Sequence, residues 1–150
     1  MIRAIRELDK LAVVIHSDFD RDLPFVTEAD EAYSLGEGSL ADTYLNSHKI
    51  LEIARLAQVD AIHPGYGLLS ENANFAQACQ ESGIRFIGPG SEVISLMGHK
   101  SNARRKAAEL GIPVLEGVTG DLEVLIAQKD SLTYPVLIKP AGGGGGKGMR

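Results

Sequence analysis

The sequence predicts an α/β fold: a parallel, doubly wound (Rossmann-like) sheet lacking its first strand, followed by the start of a second domain. Three observations lead there. Short apolar runs with β-branched residues alternate with segments of helical periodicity. The connections between them are short, which favours a parallel sheet with helices on its faces. Finally, the chain opens in a helix, whereas a doubly wound domain normally opens on a strand and the turn feeding its first helix. That strand is therefore expected to be absent.

Residues 2–9 read as the tail of an amphipathic helix, with Ile2, Ile5 and Leu8 on one side. Leu11-Ala-Val-Val-Ile15 is a continuous apolar run, expected as a strand buried on both faces. His16 to Asp22 form a polar loop at that strand's carboxyl end, where open α/β sheets gather ligands and where a solvated turn is the plainer reading. Ala32–Leu35 make a second strand, and 36–43 a loop. Asn46 or Ser47 caps a helix running to about Gln58, with Ile50, Ile53, Ala54 and Ala57 facing inward. Residues 60–63 make a third strand. Ser70 is expected to cap a helix from Glu71 to about Ser82, closed by Gly83. Arg85–Ile87 make a fourth strand, ended by Gly88-Pro89-Gly90. Ser91 caps a short helix ending at Gly98, the expected domain boundary: 1–98 and 99–150.

Beyond it, residues 100–110 form a helix with four basic side chains, closed by Gly111; charge runs of this kind are usually a solvated face. Ile112–Leu115 are extended, Asp121 caps a helix to about Lys129, and Val136–Ile138 read as a brief buried strand between Pro135 and Pro140.

Composition excludes several classes. The 44% apolar content is ordinary for a globular chain, and the net charge of −5 argues against nucleic acid as a general partner. No apolar run approaches the ~18 residues needed to span a bilayer, and Met1-Ile-Arg-Ala-Ile-Arg carries no signal-peptide pattern. Cys79 is the single cysteine, which points to a reducing compartment and a cytoplasmic location. It lies on the apolar side of a helix beside Phe75, as core filler rather than a nucleophile.

Two stretches carry chemistry. The first is Tyr134-Pro-Val-Leu-Ile-Lys-Pro-Ala, followed by five glycines (142–146), Lys147 and Gly148. Glycine permits positive φ and leaves no side chain between backbone and ligand. Free backbone N–H groups flanked by Lys139 and Lys147 suit phosphate oxygens. Ordering each glycine costs roughly 0.5–1 kcal/mol more than alanine, so a flap that orders over a nucleotide is expected; a passive linker is the alternative. Neither the Gly-x-x-x-x-Gly-Lys-Ser/Thr loop nor a meaningful dinucleotide fingerprint is present, since Met149 follows Lys147-Gly148. The pattern of Tyr134 to Gly148 resembles the ATP-grasp signature. By that resemblance Lys139 contacts nucleotide phosphates and Gly145 and Gly146 fold over them.

The second stretch is Ala61-Ile-His-Pro-Gly-Tyr-Gly-Leu-Leu-Ser-Glu-Asn-Ala-Asn-Phe75. A strand runs out at His63 and the chain turns through Pro64-Gly65, which makes Tyr66-Gly67 a ligand-loop candidate. Packing alone would also account for Tyr66 and His63. The phrase His63-Pro-Gly-Tyr-Gly…Ser-Glu-Asn72 is very similar to the hallmark of biotin carboxylase amino-terminal domains. Ser17-Asp-Phe-Asp-Arg, Glu28-Ala-Asp-Glu-Ala, Tyr44-Leu-Asn, Phe86-Ile-Gly-Pro, Leu96-Met-Gly-His-Lys and Gly111-Ile-Pro-Val follow in that family's order. Leu68 stands where the family usually has Phe, and His99 where it has Asp.

The resemblance implies an ATP-dependent ligase. Bicarbonate is phosphorylated by ATP with Mg2+, and biotin on a carrier protein is then carboxylated. It implies ATP-binding roles for Lys100, Lys139, Gly145, Gly146 and Met149, and a biotin-side cleft at Tyr66 and Gly67. It assigns no catalytic residue and no metal ligand to this stretch: the magnesium carboxylates lie past Arg150, so a fragment inactive by itself is expected. The implied partners are a biotin carboxyl carrier protein or domain, a carboxyltransferase, and a second copy in a homodimer. Another ATP-grasp ligase, such as a carbamoyl phosphate synthase, and a non-catalytic nucleotide-binding module are the alternatives. Hydrogen exchange measured on 136–148 without nucleotide should show weak protection that rises on adding ATP; strong protection without nucleotide would contradict the flap.

Overall fold

A computed structural model of the chain describes residues 1–140 and 149–150, which divide into two units, Met1–Ser91 and Glu92–Arg150. The first unit begins with α1 (Ile2–Glu7), then β1 (Val13–His16), a 3-10 turn at Asp18–Asp20, α2 (Pro24–Glu28) and β2 (Glu31–Ser34). It continues through α3 (Ser47–Leu56), β3 (Ala61–Ile62), α4 (Ala73–Glu81) and β4 (Arg85–Phe86). Strands β1 and β2 pair in parallel, Val13 opposite Glu31 and His16 opposite Ser34. Strands β3 and β4 do the same, Ala61 opposite Arg85 and Ile62 opposite Phe86. Each pair is joined by a helical crossover, as the alternation of patterns requires.

Among the described residues the two pairs are separate two-stranded sheets. Each strand therefore keeps an open edge, and this corrects one expectation. Val13, Val14 and Ile15 are only half-buried, and Leu11 is 75% exposed. Leu11 lies ahead of the ladder because the Ala12 N–H is taken by the Asp30 carboxylate at 2.7 Å, while the Ala12 carbonyl accepts from the Asp30 and Glu31 amides. Helix α2 was not foreseen. Its signal is Pro24 in the first turn after extended Leu23, where a missing N–H is harmless and the fixed φ suits a helix.

Helix α3 is capped by one of the two residues expected for it. The Asn46 side chain accepts from the Lys49 amide, and Ile50, Leu51 and Ala54 turn inward, with Ile53 half-buried. Gly83, at φ +71°, ends α4 as expected. The core gathers Leu35, Ile50, Leu51, Ala54, Leu69, Phe75, Cys79 and Ile84. Phe75 meets Phe86 edge-to-face, ring centres 6.1 Å apart. Cys79 is fully buried, and burial pushes its thiol pKa up, which fits a packing role.

After α5 (Ser91–Gly98), α6 (Lys100–Glu109) of the second unit ends at Gly111, φ +73°, as expected. Arg105 and Lys106 reach Glu109, and Arg104 donates to the Gly117 carbonyl at 3.1 Å. Asp121 caps α7 (Leu122–Ala127) by accepting from the Val124 amide. The expected buried strand at 136–138 is not formed among the described residues: Leu137 and Ile138 are each 58% exposed. The apolar run finds no neighbouring strand there. Among the described residues, Ile138 and Arg150 exchange both backbone hydrogen bonds (2.8 and 3.1 Å), as in an antiparallel ladder.

A polar latch joins the loop after β1 to the segment before α3. Tyr44 Oη and Ser17 Oγ both donate to Asp20 Oδ2, and the Ser17 amide donates to Tyr44 Oη. The Tyr44 hydroxyl, then Ser17, hold the Asp20 carboxyl below its usual range; Ser34 does this for Asp18, the Ala12 amide for Asp30, and Ser39 for Asp42. Each of these groups has a folded pKa below the ordinary 3.8. Their stabilisation is thus present above about pH 4 and is lost as pH falls through the folded values. Tyr44→Phe should lower the melting temperature at pH 7, and the gap to the parent should narrow toward pH 2. A gap that is constant with pH would contradict this latch.

Candidate functional site

The loop from His63 to Asn72 leaves the carboxyl end of β3 and enters α4. Three of its residues take positive φ: Gly65 (+74°), Gly67 (+70°) and Leu68 (+44°). Glycine adopts that region freely, while Leu68 does so at a cost. The ends of the loop are tied. The Gly65 amide donates to His63 Nδ1 at 3.1 Å, and the Ser70 amide donates to the Gly67 carbonyl at 2.8 Å. Leu69 points into the core, 5% exposed, while the Tyr66 side chain is fully exposed.

The loop is longer than expected. Ser70 does not cap α4. Its amide is committed to the Gly67 turn, and Asn72 Oδ1 accepts from the Phe75 amide at 2.9 Å instead. Asparagine is as good an N-cap as serine, and Asn72 immediately precedes the helical run, so the signal was present.

The remaining candidates lie in the second unit. Lys100 opens α6, directly after His99. Lys139 and Met149 stand next to Ile138 and Arg150, so the paired backbone bonds of those two residues bring Lys139 and Met149 to the foot of one segment. Lys139 is exposed and Met149 is 39% exposed. Gly145 and Gly146 lie outside the described residues. Tyr66 and Gly67 belong to the first unit, and Lys100, Lys139 and Met149 to the second. A surface depression of about 340 Å³, lined by Gln80, Arg85, Phe86 and Gly88 among others, holds none of the candidates. Among the described residues no cluster of His, Cys, Asp or Glu could hold a metal ion, and no helix is long and apolar enough to cross a membrane.

Residues 1–94 match the family model described as biotin carboxylase, N-terminal domain, which covers more than half of the chain. The chain belongs to the biotin carboxylase family. Residues 99–150 match the carbamoyl-phosphate synthase L chain, ATP binding domain. The chain is 42% identical to biotin carboxylase 2 of Bacillus subtilis, over all of this chain and 34% of that protein. It is 46% identical to the pyruvate carboxylase of the same organism, over 13% of its length. Among solved structures it matches the biotin carboxylase domain dimer of Hydrogenobacter thermophilus 2-oxoglutarate carboxylase, in complex with MgADP, ADP and bicarbonate. There the TM-score is 0.92 at 43% identity, over 99% of this chain and 33% of that one. A Campylobacter jejuni biotin carboxylase complex gives a TM-score of 0.92 at 40% identity, over 99% and 34%. The chain thus spans about a third of the length of the biotin carboxylases it matches.

Within this family's first domain, the loop geometry makes a direct claim about the α4 cap. Asn72→Ala should destabilise the chain by about 1 kcal/mol, and Ser70→Ala by no more than about 0.5 kcal/mol, both read by urea unfolding. The reverse order would restore Ser70 as the cap.

Proposed function

We propose that this chain supplies the first domain and the beginning of the ATP-binding domain of a biotin carboxylase, the enzyme that uses ATP and bicarbonate to carboxylate biotin on a carrier protein. The observation that carries this reading is the match of residues 1–94 to the family's first domain, with full-length coverage of this chain by biotin carboxylases above 40% identity. The relatives that bind MgADP and bicarbonate support the choice of cofactors.

The residues present fit half of a nucleotide site. Lys139 sits, exposed, beside the paired backbone of Ile138 and Arg150. From there its ammonium acts as a point charge toward phosphate oxygens, as does Lys100 at the start of α6. Gly145, Gly146 and Met149 complete the set of nucleotide-binding residues. ATP supplies the phosphoryl group that activates bicarbonate. Phosphoryl transfer asks the protein mainly for positioning and charge neutralisation, and the lysines and glycines do that work. Tyr66 and Gly67 line the biotin side. The division between the two domains falls at Gly98. The partners are a biotin carboxyl carrier, a carboxyltransferase and a second copy of the enzyme, in the cytoplasm.

The alternative, another ATP-grasp ligase, draws on the match of residues 99–150 alone. The full-length protein should hydrolyse ATP in a bicarbonate-dependent way that free biotin stimulates. Lys139→Met should lower kcat/KM for ATP by about 10- to 100-fold, the loss of one charge-assisted hydrogen bond. ATP hydrolysis indifferent to both bicarbonate and biotin would overturn the proposal, and an unaffected Lys139→Met variant would remove Lys139 from the site.

A further inference from the structure

We infer that His63 is the positioning residue that holds Tyr66 in place, and that it does so through Nδ1 of a neutral imidazole. The inference rests on the reading of Tyr66 as a biotin-side residue and adds to it the device that presents the ring. Residue 66 has no packing of its own to hold it, because its side chain is fully exposed. Its place is therefore set by backbone on either side. On the far side the Ser70 amide closes a turn on the Gly67 carbonyl and Leu69 is buried in the core. On the near side the Gly65 amide donates to His63 Nδ1.

That contact spans two residues, from a side-chain acceptor at position 63 to the amide at position 65. Asn and Asp side chains close turns in the same way, accepting from the amide two residues on. Here a histidine takes the part of the Asx residue. Acceptance at Nδ1 requires that nitrogen to carry no proton, so the ring proton sits on Nε2. Between the two ties the chain passes through Gly65, Gly67 and Leu68, all at positive φ. Leu68 gives up stability to be there, so the loop shape is imposed rather than preferred, and releasing one tie allows Tyr66 to move.

Three variants separate the clamp from mere occupancy of the position. His63→Ala removes the acceptor, His63→Phe keeps an aromatic ring without it, and His63→Asn restores an acceptor with Asx reach. In the full-length protein, chymotryptic cleavage after Tyr66 should rise about 2- to 10-fold in the Ala and Phe variants and stay near the parent rate in the Asn variant. Melting temperatures should be nearly unchanged. Nitrogen-15 spectra of the parent should show the Nε2–H tautomer. KM for biotin should rise by a similar factor in the Ala and Phe variants, with KM for ATP unmoved. Equal cleavage in all three variants and the parent, or an Nδ1–H tautomer, would overturn the clamp. A raised biotin KM in Tyr66→Ala beside an unmoved one in His63→Ala would overturn the positioning role. A biotin KM unmoved by Tyr66→Ala itself would instead overturn the biotin reading beneath it.

Discussion

The first unit depends on side-chain packing to hold together two parallel pairs that share no ladder bonds among the described residues. Leu35 follows β2, Ile84 precedes β4, and Phe75 and Cys79 come from the helix between β3 and β4; all four are in one cluster with Ile50, Leu51 and Ala54 of α3. The magnitudes show why this cluster decides. Truncating a buried phenylalanine to alanine costs about 3–5 kcal/mol, whereas a cap or a single hydrogen bond is worth about 1 kcal/mol. The exposed ion pairs, such as Arg6 with Asp30 at 3.1 Å, contribute less still.

The same packing carries the candidate site. Leu69 and Phe75 enter the core from the two sides of Asn72, which fixes where the His63–Asn72 loop ends and where α4 begins. The loop then has a buried foot and an exposed tip at Tyr66. A rigid support with an unpacked aromatic at its end suits a residue whose partner is a ligand rather than the chain itself. In the second unit the equivalent local constraint is backbone pairing, since Ile138 and Arg150 fix the spacing between Lys139 and Met149.

The element order was legible: α3 from the spacing of its apolar residues, α6 from a basic run closed by Gly111, and the strands from β1 to β4 from short apolar runs between turn residues. Burial was less legible. A run such as Leu11–Ile15 reads as doubly covered, yet coverage depends on what lies across the sheet, a tertiary property that spacing does not contain. Val136–Ile138 failed for the same reason. Cap choice split: Asp121 was readable and Asn46 was one of two candidates with Ser47, whereas α4 is capped by Asn72, which accepts from the Phe75 amide, and not by Ser70. At the site, the His-Pro-Gly-Tyr-Gly phrase marked the loop, but the bond from the Gly65 amide to the His63 ring is a matter of geometry that residue identity leaves open. The glycine run, the clearest feature of the sequence, lies outside the described residues.

The central claim is that this family membership is expressed as carboxylation of biotin driven by ATP. Its most direct test is transfer of radiolabelled bicarbonate to a biotinylated carrier by the full-length protein. The account predicts label on the carrier's biotin, in amounts that rise with ATP consumed and vanish when ATP is withheld. ATP consumed with no label reaching biotin would contradict it.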